Sequence, residues 1–140
     1  MNIQNLVDLV KTIALDDIEV KSFYVGNNWD MSAGKGDIYP NLWLEFPILV
    51  DYTNVSKLNK QYTFSIDIIT LAKPDDLLDE IHQISHMEEL GDKFLQYLKQ
   101  DRTFNLIDVT TGLSIKNINA DNAVGIRLDI RINTPRVCLT

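Results

Sequence analysis

The chain has 140 residues, 45% of them hydrophobic and 24% charged, which is typical of a single soluble globular domain covering residues 1–140. Twenty acidic residues against 13 basic ones give a formal net charge of −7. The basic residues are scattered singly, which argues against tight nucleic-acid binding because that needs a basic patch. A single cysteine, Cys138, excludes an internal disulfide and a multi-cysteine metal cluster.

The N-terminal part of the chain predicts a helix, a strand and a long loop. Apolar residues recur every three or four positions over residues 2–15, the spacing of an amphipathic helix. This start has no basic segment before its apolar residues, so we expect no signal peptide. Residues 18–25 alternate as a strand does, and residues 26–38 are rich in glycine, asparagine and aspartate. Loops of that length are often functional.

The next part of the chain predicts two antiparallel strands joined as a hairpin with an extended tip. The first runs from Leu42 to Asp51, and Pro47 within it indicates an edge or a bulge because proline cannot donate to a sheet ladder. The second covers residues 61–72. Glu45 and Asp67 alternate with apolar neighbours, which predicts ordinary outward-facing side chains.

A long helix follows, with Asp75 or Asp76 as its predicted N-cap and acidic residues in its first turn. A broad apolar stripe extends to about residue 100 and predicts the buried face. Gly91 lies along this stripe and would permit a close approach to the sheet. The stripe consists of Leu77, Leu78, Ile81, Ile84, Met87, Leu90, Phe94, Leu95 and Leu98.

Three closing strands are predicted at residues 104–110, 112–119 and 122–135, with turns at "TTG" and "ADN". The last strand alternates cleanly between apolar and polar residues, which predicts one buried and one polar face. Together these elements indicate the α+β class. We expect a mostly antiparallel sheet with two helices packed on one face and a long extended β-hairpin or loop.

Candidate catalytic and metal-binding residues are few. His82 and His86 stand four residues apart on the long helix, a spacing that can hold zinc. Gln83 replaces the glutamate of an H-E-x-x-H site, and the apolar stripe assigns both histidines to the solvent side. Neither a G-x-S-x-G elbow nor a phosphate-binding glycine motif is present. We therefore expect no metal, no cofactor and no enzymatic activity, although an acid pair across the sheet or a lid at residues 26–38 stays open as an alternative.

Aromatic residues concentrate around the long loop and the strand that leaves it. Tryptophan and tyrosine are enriched at protein interfaces, where an apolar body meets a polar edge. For Trp43 a core position and an interface position fit equally well, whereas the polar surroundings of Trp29 favour an interface. The predicted subunit-interface residues are Trp29, Met31, Tyr39, Leu42, Trp43 and Tyr52.

The predicted order of elements resembles the tail-terminator and tail-completion proteins of tailed bacteriophages, which act as head-to-tail connectors in the phage neck. This order covers nearly the whole chain. The segment "IYPNLWLEFP" is also similar to a Y-P-x-x-W-L segment of short structural proteins of phages that infect Bacteroidetes hosts, including crAss-like phages. The matching positions are Tyr39, Pro40, Trp43 and Leu44.

This resemblance implies a structural virion protein, assembled in the host bacterial cytoplasm, that forms a six- or twelve-fold ring of identical subunits. Such a ring would join portal, connector or tail-tube proteins and surround a channel through which DNA passes without specific binding. Residues 26–40 and 50–62 would make the subunit contacts. Acidic candidates for the channel side are Asp51, Asp67, Asp108 and Asp121.

A second hypothesis belongs to a different class. The same composition and the same absence of catalytic motifs fit a small adaptor or chaperone-like module that binds one protein partner. Such a module would act as a monomer or dimer rather than a ring. The oligomeric state therefore distinguishes the two hypotheses.

Overall fold

A computed structural model describes residues 1–27, 37–54, 59–101, 106–116 and 118–135, and the predicted α+β class is confirmed. The described residues form two α-helices, a π-helical turn and a six-stranded mixed sheet that is mostly antiparallel. In chain order the elements are α1 (Ile3–Thr12), the π-helical turn (Ile13–Asp17), β1 (Ser22–Asn27), β2 (Asn41–Phe46), β3 (Leu49–Asn54), β4 (Asn59–Thr70), α2 (Leu77–Gln100), β5 (Leu106–Ile115) and β6 (Val124–Pro135).

Helix α1 begins at a reciprocal cap made by two asparagines. The Asn2 side chain accepts from the Asn5 backbone N–H at 2.8 Å, and the Asn5 side chain accepts from the Asn2 backbone N–H at 2.9 Å. These bonds satisfy two backbone donors that a helix start otherwise leaves unpaired. Leu6 and Val10 are buried one turn apart, as the amphipathic pattern predicts.

The first strand begins later than its alternating sequence predicts. Strand β1 covers Ser22–Asn27, whereas Ile18 and Val20 precede it and are buried in the core. Glu19 lies between them with a φ of 60°, in the left-handed region that interrupts an extended chain. The alternation at residues 18–21 therefore reflects core packing before the strand and not the strand itself.

The predicted strand from Leu42 to Asp51 is divided in two at Pro47. Strand β2 pairs in parallel with β1 and antiparallel with β4, while β3 pairs antiparallel with the other end of β4. The predicted hairpin is confirmed for β3 and β4, whose tip at residues 55–58 lies outside the described residues. The complete strand order is β1-β2-β4-β6-β5, with β3 beside β4.

The predicted turn at "TTG" is wrong. Thr110, Thr111 and Gly112 lie inside the continuous strand β5, paired with Ile130, Asp129 and Leu128 of β6. These ladder bonds keep the glycine extended, so tertiary pairing overrides its local preference for a turn. The turn at "ADN" is confirmed, because Asn122 donates from its backbone N–H to the Asn119 carbonyl at 2.9 Å.

Helix α2 begins at Asp76, whose side chain accepts from the Asp79 backbone N–H at 3.1 Å. Its buried residues are Met87, Gly91, Phe94 and Leu98. A Cβ added at Gly91 would lie 3.3 Å from the Leu128 side chain, which supports the predicted close approach to the sheet. The predicted buried stripe is wrong for the start of the helix, where Leu77, Leu78 and Ile81 are exposed.

One apolar core joins both helices to alternate residues of the sheet. Within it, side chains of α1 and the π-helical turn meet side chains of α2. The even-numbered residues of β4 and β6 complete this core. The placement of both helices on one face of the sheet stays a prediction. The central members are Leu6, Val10, Ile13, Leu42, Leu44, Phe64, Ile66, Met87, Phe94, Leu98, Leu128 and Ile130.

Candidate functional site

The polar face of the sheet carries an arginine held between two carboxylates. Arg127 on β6 donates from Nε to Asp67 Oδ1 on β4 and from Nη2 to Glu45 Oε1 on β2, each at 3.0 Å. The strand register places them together: Asp67 pairs with Arg127 on one side and with Trp43 on the other, and Glu45 lies two residues beyond Trp43. These three charged residues are called the Glu45–Arg127–Asp67 cluster below.

Burial in this cluster changes the protonation of Asp67. Removal from water, the larger cause, and the nearby Glu45 carboxylate raise the pKa of Asp67 to about 7, although Arg127 acts in the opposite direction. Its Oδ1 accepts from Arg127, whereas its buried Oδ2 has no hydrogen-bond partner within the described residues. Below about pH 7 the neutral form of Asp67 is therefore favoured in the folded chain.

The prediction that Glu45 and Asp67 face outward as solvated strand residues is wrong. Glu45 is 9% exposed and Asp67 is fully buried, because Trp43 and Arg127, two large side chains, lie directly opposite Asp67 on the flanking strands. Asp67 is therefore not available to line a channel in this conformation. An acid can exchange protons with a substrate only where the substrate can reach it, and here parts of Arg127 and Glu45 meet solvent whereas Asp67 does not.

Arg127 is the member of this cluster that the sequence did not identify. Two sequence features could have pointed to it: the strictly alternating polar face of β6, which includes Arg127, and an aspartate in the middle of the largely apolar strand β4. Opposite charges on two facing strands indicate a cross-strand pair only after the pairing and its register are known.

Two residues of the predicted interface are already covered within the single chain. Leu42 is fully buried in the apolar core, and Trp43 is 6% exposed on the opposite face of the sheet, so both side chains are covered within the chain. The Trp43 indole donates to the Gly26 carbonyl at 3.2 Å, and its ring lies 5.5 Å from that of Tyr24. These contacts correct the expectation that both residues wait for a partner surface.

Tyr39 ties the chain that leaves the long loop to the turn between β5 and β6. Its hydroxyl donates to Asp121 Oδ2 at 2.7 Å and accepts from Asn119 Nδ2 at 2.7 Å. The Asp37 backbone N–H also donates to Asp121 at 3.3 Å. Burial, followed by the bond to Asp121, raises the pKa of Tyr39. Two predicted site residues, Tyr39 and Asp121, are thus brought into contact, in a role that anchors the backbone.

The remaining predicted site residues are dispersed. Trp29 and Met31 lie outside the described residues, as does the side chain of Asp108. Tyr52 is 51% exposed on β3, and Asp51 beside it is half-buried. His82 and His86 are exposed, as predicted. Among the described residues no group of three metal-ligating side chains comes together, and no helix there is long and apolar enough to cross a membrane.

An apolar surface lies where β2 passes into β3. A groove of about 500 Å³ is lined by Ile3, Asn27, Phe46, Pro47 and Ile48. Phe46 is 40% exposed, and Leu49 just beyond it is 61% exposed. The Phe46-Pro47 break places these side chains at the rim of the sheet, next to the start of α1. This surface, from Phe46 to Leu49 with Ile3, is called the apolar corner below.

No protein-family model matches the sequence, and neither does any curated protein.

Proposed function

We propose that the chain is a non-enzymatic structural protein that assembles with copies of itself into a ring, in the manner of a phage tail terminator or neck protein. The observation that carries this proposal is the apolar corner. Phe46 and Leu49 expose large apolar side chains beside a groove that Ile3 also lines. Contiguous exposed apolar surface of this kind marks interaction sites, because leaving it in water is unfavourable.

The two end strands of the sheet order give a second line of support. Strands β1 and β5 stand at opposite ends of the strand order, and no described strand pairs with the outer side of either. Open strand edges are templates for pairing with another chain. Pairing of β1 on one subunit with β5 on the next would be a head-to-tail contact, and such contacts generate rings when the rotation closes.

The acidic charge of the chain fits a protein that surrounds DNA without binding it. A net charge of −7 would repel the phosphate backbone and let DNA slide past. Asp51, Asp108 and Asp121 remain candidates for the channel side, whereas Asp67 does not. The proposed partners are the neighbouring subunits and the portal, connector or tail-tube proteins of a virion.

The test is the oligomeric state of the chain and its dependence on the apolar corner. We expect size-exclusion chromatography with light scattering, and negative-stain imaging, to detect closed rings at high protein concentration or within purified particles. Leu49→Ser should weaken assembly while leaving the monomer folded, because that side chain is already largely in water. Leu78→Ser, an exposed leucine on α2, is the matched control.

A chain that stays monomeric or dimeric at every concentration, and forms no ring in particles, would overturn the proposal. That result would favour the adaptor hypothesis instead. Assembly that is weakened equally by Leu49→Ser and Leu78→Ser would refute the assignment of the contact to the apolar corner.

A further inference from the structure

Helix α2 is longer than the part of it that packs against the core. The helix has 24 residues, and its first buried side chain is Met87. None of the side chains of residues 77–86, all of them described, is buried. At 1.5 Å per residue this segment is about 15 Å long, or nearly three helical turns in which no side chain is fully buried. Residues 77–86 are called the helix overhang below.

The helix overhang carries the same apolar stripe as the buried part of the helix. Leu77, Ile81 and Ile84 continue the three- and four-residue spacing that leads through Met87 and Gly91 to Phe94 and Leu98. In the first part of the overhang this stripe meets water: Leu77 is 62% exposed, Ile81 51% and Leu78, beside them, 80%. Ile84, nearer the core, is half-buried. Surface helices ordinarily have polar residues where no core covers them. This stripe has the apolar pattern of a buried helix face, yet it is exposed to water.

Acidic side chains cluster at the N-terminal end of the stripe. Asp75, Asp76, Asp79 and Glu80 lie at the start of the helix, within six residues of one another. The positive end of the helix dipole, about half a charge, cannot balance four carboxylates. Lys73 and Lys116 are the nearby basic residues, and the second pairs with Glu80 at 3.7 Å. The surface is therefore apolar along the stripe and carries an excess of negative charge at the start of the helix.

We infer that the helix overhang is a docking site for a different protein, through an amphipathic segment whose apolar side chains are flanked by lysine or arginine. Charge complementarity selects this partner. A second copy of the chain, seated on the same patch about a two-fold axis, would bring two sets of four carboxylates together, and like charges in contact suppress association. A basic amphipathic helix would bury the exposed leucines with its apolar face and neutralise the acidic residues at the start of α2 with its lysines or arginines. This site lies on α2 and does not depend on the ring contact at the apolar corner.

The test uses three synthetic peptides as probes: a lysine-rich amphipathic helix, a scrambled peptide of identical composition, and the amphipathic helix with glutamate in place of lysine. Binding to the full chain is followed by fluorescence anisotropy, and the contacted residues by NMR chemical shifts. We expect only the basic amphipathic peptide to bind, with shifts confined to the helix overhang. Leu78→Ser should weaken the affinity for this peptide about tenfold, which is roughly the contribution of one buried leucine side chain. Leu49→Ser on the apolar corner is the matched control and should leave the affinity unchanged.

Three outcomes would overturn the inference. Equal binding of the scrambled peptide would mean that net charge alone attracts it, and equal binding of the acidic peptide would remove the charge argument. A concentration-dependent dimer that Leu78→Ser abolishes would identify a second copy as the occupant. Because ring assembly is measured with Leu49→Ser, failure of either proposal leaves the other intact.

Discussion

Replacing Asp67 by asparagine should remove a pH dependence that runs opposite to that of most salt-bridged carboxylates. The folded chain holds a proton on Asp67 up to about pH 7, whereas an ordinary aspartate releases it near 3.8. Between these values the folded state binds more protons than the unfolded state, so the free energy of unfolding falls as pH rises. Asparagine has the shape of the neutral acid and cannot ionise. The variant should therefore keep the hydrogen bond to Arg127 and lose the pH dependence.

The size of the effect follows from the two pKa values. Each tenfold step in proton affinity corresponds to about 1.4 kcal/mol, so the whole interval is worth roughly 4 kcal/mol. Of this, about 2–3 kcal/mol falls between pH 5 and pH 8. As the pH rises from 5 to 8, the free energy of unfolding of the Asp67→Asn variant should therefore increase by that amount relative to that of the wild type.

Urea unfolding followed by circular dichroism at several pH values measures this difference. Asp92→Asn, on the exposed side of α2, makes the same change in formal charge and serves as the control. A wild-type stability that is constant or rises from pH 5 to pH 8, or parallel behaviour of the two variants, would refute the protonated state of Asp67.

Four further substitutions test the packing around this cluster, in the core and on the helix overhang. Arg127→Met removes the cation between Glu45 and Asp67 and leaves their buried oxygens without its N–H donors, so urea unfolding at neutral pH should detect a loss of about 3–5 kcal/mol; a loss below about 1 kcal/mol would contradict the buried-pair account. Gly125→Ala should prevent stable folding, since its Cβ would lie 1.9 Å from the Ile68 carbonyl oxygen; an unchanged melting temperature would disprove that contact. Leu98→Ala should cost about 2–5 kcal/mol, and Leu77→Ala, on the helix overhang, much less; similar losses would mean that the overhang is packed.

Local patterns were sufficient for the elements whose structure is set by neighbours in sequence. The spacing of apolar residues in both helices, the N-cap at Asp76 and the break at Pro47 all follow from rules that operate within a few residues. The alternation on β6 likewise predicted its buried face correctly. These features explain why the α+β class was evident from the sequence.

The errors arose where distant segments decide the outcome. Gly112 resembles a turn residue until β6 holds it in a ladder, and Asp67 resembles a solvated residue until Trp43 and Arg127 cover it from both sides. The exposed start of α2 was missed for the converse reason. Periodicity identifies an apolar stripe, but only the extent of the sheet beneath it determines how far the stripe is buried.

The pairing of β4 with β6 also governs how the chain must fold. Asp67 and Arg127 are opposite each other in a ladder of twelve paired positions, yet they are separated by 60 residues of sequence. Contacts of such high sequence separation make folding slow. At about 5–20 residues per second, synthesis needs several seconds to pass from the end of β4 to β6. During that interval the two helices and strands β1 to β4 are synthesised, but β6, the strand that lies between β4 and β5 in the sheet, does not yet exist. We expect nascent chains to be most prone to aggregation at this stage, and truncation before residue 124 to make that state permanent.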